Sequence, residues 1–357
     1  MKLIVIGGVV ALLISLLGTP LLIRFLQRRG LSQAIRRSAD GITYPEHEGK
    51  RGTPSMGGLA IIFGTVIGYW VAHLVTLRPP TVSALLAMFL MVGLASVGVA
   101  DDYLKIFKQR STGVLARTKL IGQSVVALSF ALMALHFKDD IGLTPTTQGI
   151  TAVGGTLIAL PLVAYLIWSW FVVAGVSNAV NLTDGLDGLA TGAAAITAAA
   201  FVLVCVWEAN QNCERASAIA SSCYHVRDPL DLAAFAAACG GALVGFLWWN
   251  TSPAGIFMGD TGSLAIGGAI AALAMLTLTE LLLVLLGGLF VIVTMSVILQ
   301  VGSFKLTGRR VFRMAPIHHH FELMGWPETQ IVVRMWIIQA LAVSAGLGIF
   351  YYNWVSG

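Results

Sequence analysis

The 357-residue chain is 57% hydrophobic and 11% charged, with a formal net charge of +5 and a mean hydropathy of +0.84. Soluble domains hold about 25% charged residues, so a globular fold covered by water is excluded. The basic excess sits in short loops between apolar runs, which speaks for membrane orientation and against nucleic-acid binding.

A helix crossing the hydrocarbon core needs about 20 apolar residues. Runs of this kind predict an all-α polytopic membrane protein with about ten transmembrane helices, at approximately 3–25, 55–77, 82–101, 119–136, 157–177, 190–208, 230–248, 262–279, 281–304 and 330–353. The first run is too long for a signal-peptide core, follows a single lysine and lacks a small-residue cleavage site. Arg24, Arg28, Arg29, Arg36 and Arg37 come after it, so it reads as a span with its N-terminus outside. Inside loops then fall at 26–54, 102–118, 178–189, 249–261 and 305–329. With their flanks they hold seventeen of the 22 Lys and Arg; only Lys2, Arg78, Lys138, Arg215 and Arg227 are left outside. That asymmetry sets the orientation.

No domain boundary, low-complexity tract or clear repeat interrupts residues 1–357, which read as one domain. Cys205 and Cys239 fall in apolar runs as small core residues. Cys213 and Cys223 share an outside loop, where a disulfide is chemically allowed. No cysteine has metal-ligand spacing. The outside acids Asp139, Asp140, Asp228 and Asp231 read as solvated loop residues.

The unusual polar motifs all fall on the inside face, which argues for one composite site. At the end of the third span, Asp101-Asp102-Tyr103-Leu104-Lys105 puts both carboxylates three or four residues before an ammonium, so on a helix both can approach it. Adjacent carboxylates serve a divalent cation or a general base; the plainer reading is a solvated helix end. In Asn178-Ala179-Val180-Asn181-Leu182-Thr183-Asp184-Gly185-Leu186-Asp187-Gly188, polar residues recur every third position. On a straight helix that spacing drifts by about 60° per step, so Gly185 and Gly188 are expected to bend or end the segment and turn these groups into one cavity. Turn chemistry alone is the alternative.

Gly255-Ile256-Phe257-Met258-Gly259-Asp260-Thr261-Gly262-Ser263 enters the eighth span, where small residues permit close approach and a helix N-terminus attracts anions. Asp260 reads either as a Mg²⁺ ligand or as an N-cap, and Phe257 as a platform for a base. In Ala315-Pro316-Ile317-His318-His319-His320-Phe321-Glu322, helical neighbours diverge by about 100°. One or two histidines are therefore expected on phosphate and the remainder in a structural role. Adjacent histidines suit zinc poorly. Lys50-Arg51-Gly52-Thr53-Pro54-Ser55-Met56-Gly57-Gly58 forms a basic, close-packed approach to the second span. Gln300 is a lone polar residue near the inner end of the ninth, suited to a pocket or to helix–helix contact.

Together GTPSMGG, DDYLK, NAVNLTDGLDGLA, FMGDTGS and APIHHHFE resemble, in order, the signatures of the phospho-N-acetylmuramoyl-pentapeptide transferases, the MraY family of polyprenyl-phosphate N-acetylhexosamine-1-phosphate transferases. The resemblance runs from the first inside loop to Glu322. Ser55 departs mildly from the threonine common in the family.

The resemblance implies ten spans, both termini periplasmic, an active site at the cytoplasmic face of the bacterial cytoplasmic (inner) membrane, and often a homodimer in the lipid bilayer. It implies Mg²⁺-dependent transfer of phospho-MurNAc-pentapeptide from UDP-MurNAc-pentapeptide to undecaprenyl phosphate, giving lipid I and UMP in peptidoglycan synthesis. On this reading Asp260 holds the metal, with Asp102 and Asp184 as further candidates, and Asp101 deprotonates or orients the lipid phosphate. Lys105, Lys119, His318 and His319 hold diphosphate or developing charge. Lys50, Ser55, Asn178, Asn181, Asp184, Asp187, Phe257, Gly259, Gln300 and His320 line the substrate pocket. A sister enzyme using UDP-GlcNAc is the nearest alternative. A cation or proton transporter is another, although transporter sites usually lie near the midplane.

Overall fold

A computed structural model describes residues 1–28, 52–107, 113–213 and 223–356. Lys50, expected on substrate, lies outside the described residues. The elements are α1 (Lys2–Arg28), α2 (Gly58–Thr76), α3 (Val82–Phe107), α4 (Ala116–His136), β1 (Gly149–Thr151), β2 (Thr156–Ala159), α5 (Leu162–Thr183), α6 (Leu189–Asn210), α7 (Pro229–Asn250), α8 (Gly259–Leu276), α9 (Leu283–Leu286), α10 (Gly288–Thr307), α11 (Ile317–Glu322) and α12 (Glu328–Ser356). Among the described residues, ten helices are long and apolar enough to cross a membrane: α1 to α8, α10 and α12. The chain is an all-α polytopic membrane protein.

Two spans differ from the sequence reading. The apolar residues at 157–160 belong to an antiparallel hairpin, with Ile150 opposite Ile158, so α5 starts at Leu162. The run assigned to the ninth span is broken at Gly287 into α9 and α10. Gln339 of α12 patches the break. Its Oε1 accepts the Leu289 N–H at 2.8 Å, and its Nε2 donates to Leu286 O at 2.7 Å. Backbone groups freed away from water need such partners.

The bundle is organised around α8, 89% buried over its most apolar window, where α10 is only 22% buried. It packs against α2, α3, α5, α6 and α7, and its Gly and Ala residues let backbones close in. At Gly98 of α3 a Cβ would fall 2.2 Å from Asp260 O, so only glycine lets α3 reach the start of α8. That approach brings the polar ends of both helices together.

Other polar contacts follow the same economy. Pro20 has no N–H to offer Leu16 O, and the Trp249 indole donates to that carbonyl at 2.8 Å instead. At the opposite end of the bundle from the motifs, Asp231 corrects its reading as a solvated loop residue. It is 5% exposed and accepts from Tyr69 Oη, Thr81 N and Thr81 Oγ1, with His73 Nε2 2.8 Å away. At that same end Cys213 and Cys223 form a disulfide, while Cys205 and Cys239 are buried and free.

Candidate active site

Four helix ends and two loops meet at one end of the bundle. Asp101 and Asp102 lie in the last turns of α3, Lys119 in the first turn of α4, Asn181 near the end of α5 and Asp260 at the start of α8. One carboxylate oxygen from each of Asp101, Asp102 and Asp260 lies within 4.8 Å of the others.

The Asp260 carboxylate is the hub. Its Oδ2 lies 3.1 Å from Lys105 Nζ and 2.5 Å from Lys119 Nζ, and its Oδ1 accepts Asn181 Nδ2 at 2.9 Å. Asn181 also donates to Ser263 Oγ at 2.7 Å, which fixes its amide toward α8. Asp101 pairs with Lys105 at 2.6 Å and accepts the Val114 N–H at 2.7 Å.

Asp102 departs from the expected approach to Lys105. Adjacent helical side chains diverge by about 100°, and Asp102 turns to α8, where it accepts the Asp260 and Thr261 amides and the Thr261 hydroxyl at 3.1, 2.9 and 2.7 Å. It is thus a cap supplied from another helix, and Asp260 does not cap its own. Helix N-termini favour such an anion.

Asp184, Gly185, Leu186, Asp187 and Gly188 form the turn between α5 and α6, with Gly188 at φ +78°, so the Gly-marked segment ends where expected. Burial, then the charges of Asp260, Asp102 and Asp187, push the Asp184 carboxyl up to about 8. The surrounding carboxylates therefore disfavour a further negative charge at this turn. Asp187 is buried, and its Oδ2 accepts the Ala254 N–H at 3.1 Å, so it braces the loop before α8. That loop also pairs with the approach to α2. Phe257 donates to Pro54 O, and Gly57 and Gly58 donate to Phe257 O and Met258 O, each at 2.9 Å. Phe257 is half-buried on this paired segment.

Asn178 lies one turn deeper than Asn181 and is not brought to the carboxylates. Its Nδ2 donates to Ala174 O and to Gln123 Oε1. Gln300 spends its amide on the loop before α11: Oε1 accepts the Val311 and Phe312 amides, and Nε2 donates to Phe312 O.

The three histidines separate in role. His318 is fully buried without a hydrogen-bond partner, against Gly185, where a Cβ would fall 2.3 Å from its Nε2. Burial, then His319, hold its imidazole well below the ordinary range. His319 Nδ1 lies 2.5 Å from Glu322 Oε2, and His320 Nδ1 accepts the Arg313 N–H.

The residues fit a hard divalent cation. The donors are carboxylate oxygens, as such ions prefer. Beside Gly259, Asp102 Oδ2 and Ser55 Oγ converge, 2.6 and 2.9 Å from where a Cβ would lie. Ser55 Oγ is buried and has no protein partner. Sequence reading did not single out Gln123, Thr261, Ser263 or Glu328. Gln123 alone carried a signal, as an amide inside an apolar run.

A cluster of acids and lysines at one end of a helical bundle can hold a divalent cation and phosphate oxygens, as a membrane phosphoryl-transfer enzyme requires. The family model for glycosyl transferase family 4 matches residues 81–278, and the phospho-N-acetylmuramoyl-pentapeptide-transferase signature 1 matches residues 50–62. Over the full length of both chains, the sequence is 54% identical to the phospho-N-acetylmuramoyl-pentapeptide-transferase of Kineococcus radiotolerans. It is 53% identical to those of Streptomyces avermitilis and Frankia alni, covering 100% of this chain and 99% of each relative. The chain belongs to the phospho-N-acetylmuramoyl-pentapeptide-transferase family.

Proposed function

We propose that the chain transfers phospho-MurNAc-pentapeptide from UDP-MurNAc-pentapeptide to undecaprenyl phosphate, giving lipid I and UMP in peptidoglycan synthesis. The observation that carries this reading is the meeting of Asp101, Asp102 and Asp260 with Lys105 and Lys119 at one end of the bundle. It is supported by full-length relatives that bear that enzyme's name.

An oxygen of the lipid phosphate attacks the sugar-bearing phosphorus, and the bond from that phosphorus to the UMP oxygen breaks. Two anions must meet, so alignment and charge neutralisation dominate the barrier. Asp260, Asp102 and Asp184 would hold Mg²⁺. When bound, that ion neutralises the diphosphate and stabilises departing UMP. Asp101 orients the lipid phosphate and accepts any remaining proton. A phosphate monoester has its second pKa near 6, so little deprotonation is needed at neutral pH. Lys105 and Lys119 bind the diphosphate oxygens as charge-assisted donors. Asn181, Asp187, Ser55, Phe257 and Gly259 shape the uridine and sugar pocket. His319 and His320 face substrate, whereas His318, Asn178 and Gln300 set the walls.

The same reading places this end at the cytoplasmic face, both termini in the periplasm, and the protein in the inner membrane as a single-domain homodimer. Ten crossings return the chain to its starting side, and the lysine and arginine bias supports the periplasm as that side. The test is Mg²⁺-dependent UMP release by purified protein given both substrates. Transfer from UDP-GlcNAc alone, or ion flux in proteoliposomes without UMP release, would replace this reading with its competitors.

A further inference from the structure

We infer that Glu328 is a positioning residue of the nucleotide-sugar pocket, acting through Asp187 on the loop that carries Phe257. The inference rests on the substrate reading above. Glu328 opens α12 and lies outside all five motifs. An acidic residue in a first helical turn is ordinarily explained by the helix dipole alone. Here the side chain does more: Glu328 Oε1 accepts the backbone N–H of Asp187 at 2.8 Å. Asp187 is 5% exposed, and its own Oδ2 accepts the Ala254 N–H at 3.1 Å. Two hydrogen bonds in series thus strap the start of α12 to the α5–α6 turn, and that turn to the loop before α8.

The loop is held at further points, among them Gly255 N, which donates to Trp249 O at 2.9 Å and ties the loop to the end of α7. Asn250 Nδ2 donates to Ile256 O at 3.0 Å, and Phe257 N donates to Pro54 O at 2.9 Å. These contacts tie the loop to α7 and to the α2 approach, and the Asp187 contact is the one that ties it to the turn that carries Asp184. On that reading uridine and sugar would be gripped where turn and loop meet, whereas the reacting phosphates belong beside Asp260. Loosening the strap should weaken nucleotide-sugar binding and spare the chemical step.

The test is direct equilibrium binding of UDP-MurNAc-pentapeptide to purified full-length protein without lipid acceptor, alongside steady-state kinetics. Glu328→Ala removes the acceptor. Its affinity for the nucleotide sugar is expected to fall about tenfold, the size of one charge-assisted hydrogen bond. KM for that substrate should rise in step, while kcat and the KM for undecaprenyl phosphate stay within about twofold. Glu328→Gln keeps a carbonyl oxygen at the same reach and is expected to restore affinity, and detergent melting temperatures report whether both variants fold. Unchanged affinity in the alanine variant, a fall confined to kcat, or a glutamine variant as impaired as alanine would overturn the inference. Binding is read without turnover. Wild-type protein that binds with this pattern but releases no UMP would uphold the strap and defeat the assigned reaction.

Discussion

The carboxylate of Asp102 accepts both the amide and the hydroxyl of Thr261, at 2.9 and 2.7 Å, so a side chain of α3 caps the first turn of α8. Because α8 is the buried centre of the bundle, this cap is a structural bond as well as a feature of the site. Hydrogen bonds to charged groups contribute about 1.5–3 kcal/mol each. Asp102→Asn is expected to lower the detergent melting temperature and abolish UMP release together. Thr261→Val should lower the melting temperature with a smaller loss of rate. An Asp102→Asn protein as stable as wild type would contradict the capping role.

Asp101 and Asp260 are placed differently, with ammonium groups as their close partners. Asp260→Asn and Asp101→Asn are expected to leave insertion and folding intact and to reduce UMP release at least about 100-fold, the scale of removing one preorganised charge from a phosphoryl-transfer site. Near-normal release from either variant would remove that residue from its role.

Lys119 and Lys105 both set an ammonium group against Oδ2 of Asp260, a carboxylate that would hold a metal ion, and Lys119 is the nearer. Removing it should therefore separate metal binding from turnover. In Lys119→Met, Mn²⁺ titrated without nucleotide and followed by electron paramagnetic resonance is expected to bind several-fold tighter, while UMP release falls at least about tenfold because a diphosphate donor is lost. Weaker Mn²⁺ binding would show that the lysine supports the cation site rather than competing for it.

His318 links stability to pH. Burial holds its imidazole well below the ordinary histidine range, so it is neutral in the folded protein. A base whose folded pKa is lowered gives stability that is present above its unfolded pKa and is lost as pH falls below it. Melting temperature should thus drop as pH falls below about 6.5, and the drop should be shallower in His318→Leu. Parallel pH curves for the two proteins would assign the loss to other groups.

The Cys213–Cys223 disulfide closes a loop of sequence separation 10, at the end of the bundle remote from Asp260. Closing a loop of that size contributes about 2–3 kcal/mol through the unfolded chain. Reduction, or paired serine substitution, is expected to lower the melting temperature and leave UMP release per folded molecule unchanged. Lost activity at full stability would reveal coupling between the two ends.

The spans and the site's location were legible because polar groups stand out against an apolar chain. Asp101, Lys105, Asn181 and Asp260 meet much as their motifs suggested. What the sequence hid was direction and distant partners. Asp102 is one residue from Asp101 yet points to another helix, and Asp231 is buried by Tyr69, His73 and Thr81 from elements far away in sequence. The hairpin at 149–159 was masked because Ile and Leu suit a strand as well as a span. The break at Gly287 was masked because Gln339, which stabilises it, lies in another helix.

The pairing of Gly57 and Gly58 with Phe257 and Met258 has a consequence for biosynthesis. Partners so far apart along the chain cannot meet until the segment before α8 has been synthesised, so the entry to α2 takes its final form late, and a polypeptide stopped after α7 would lack this pairing.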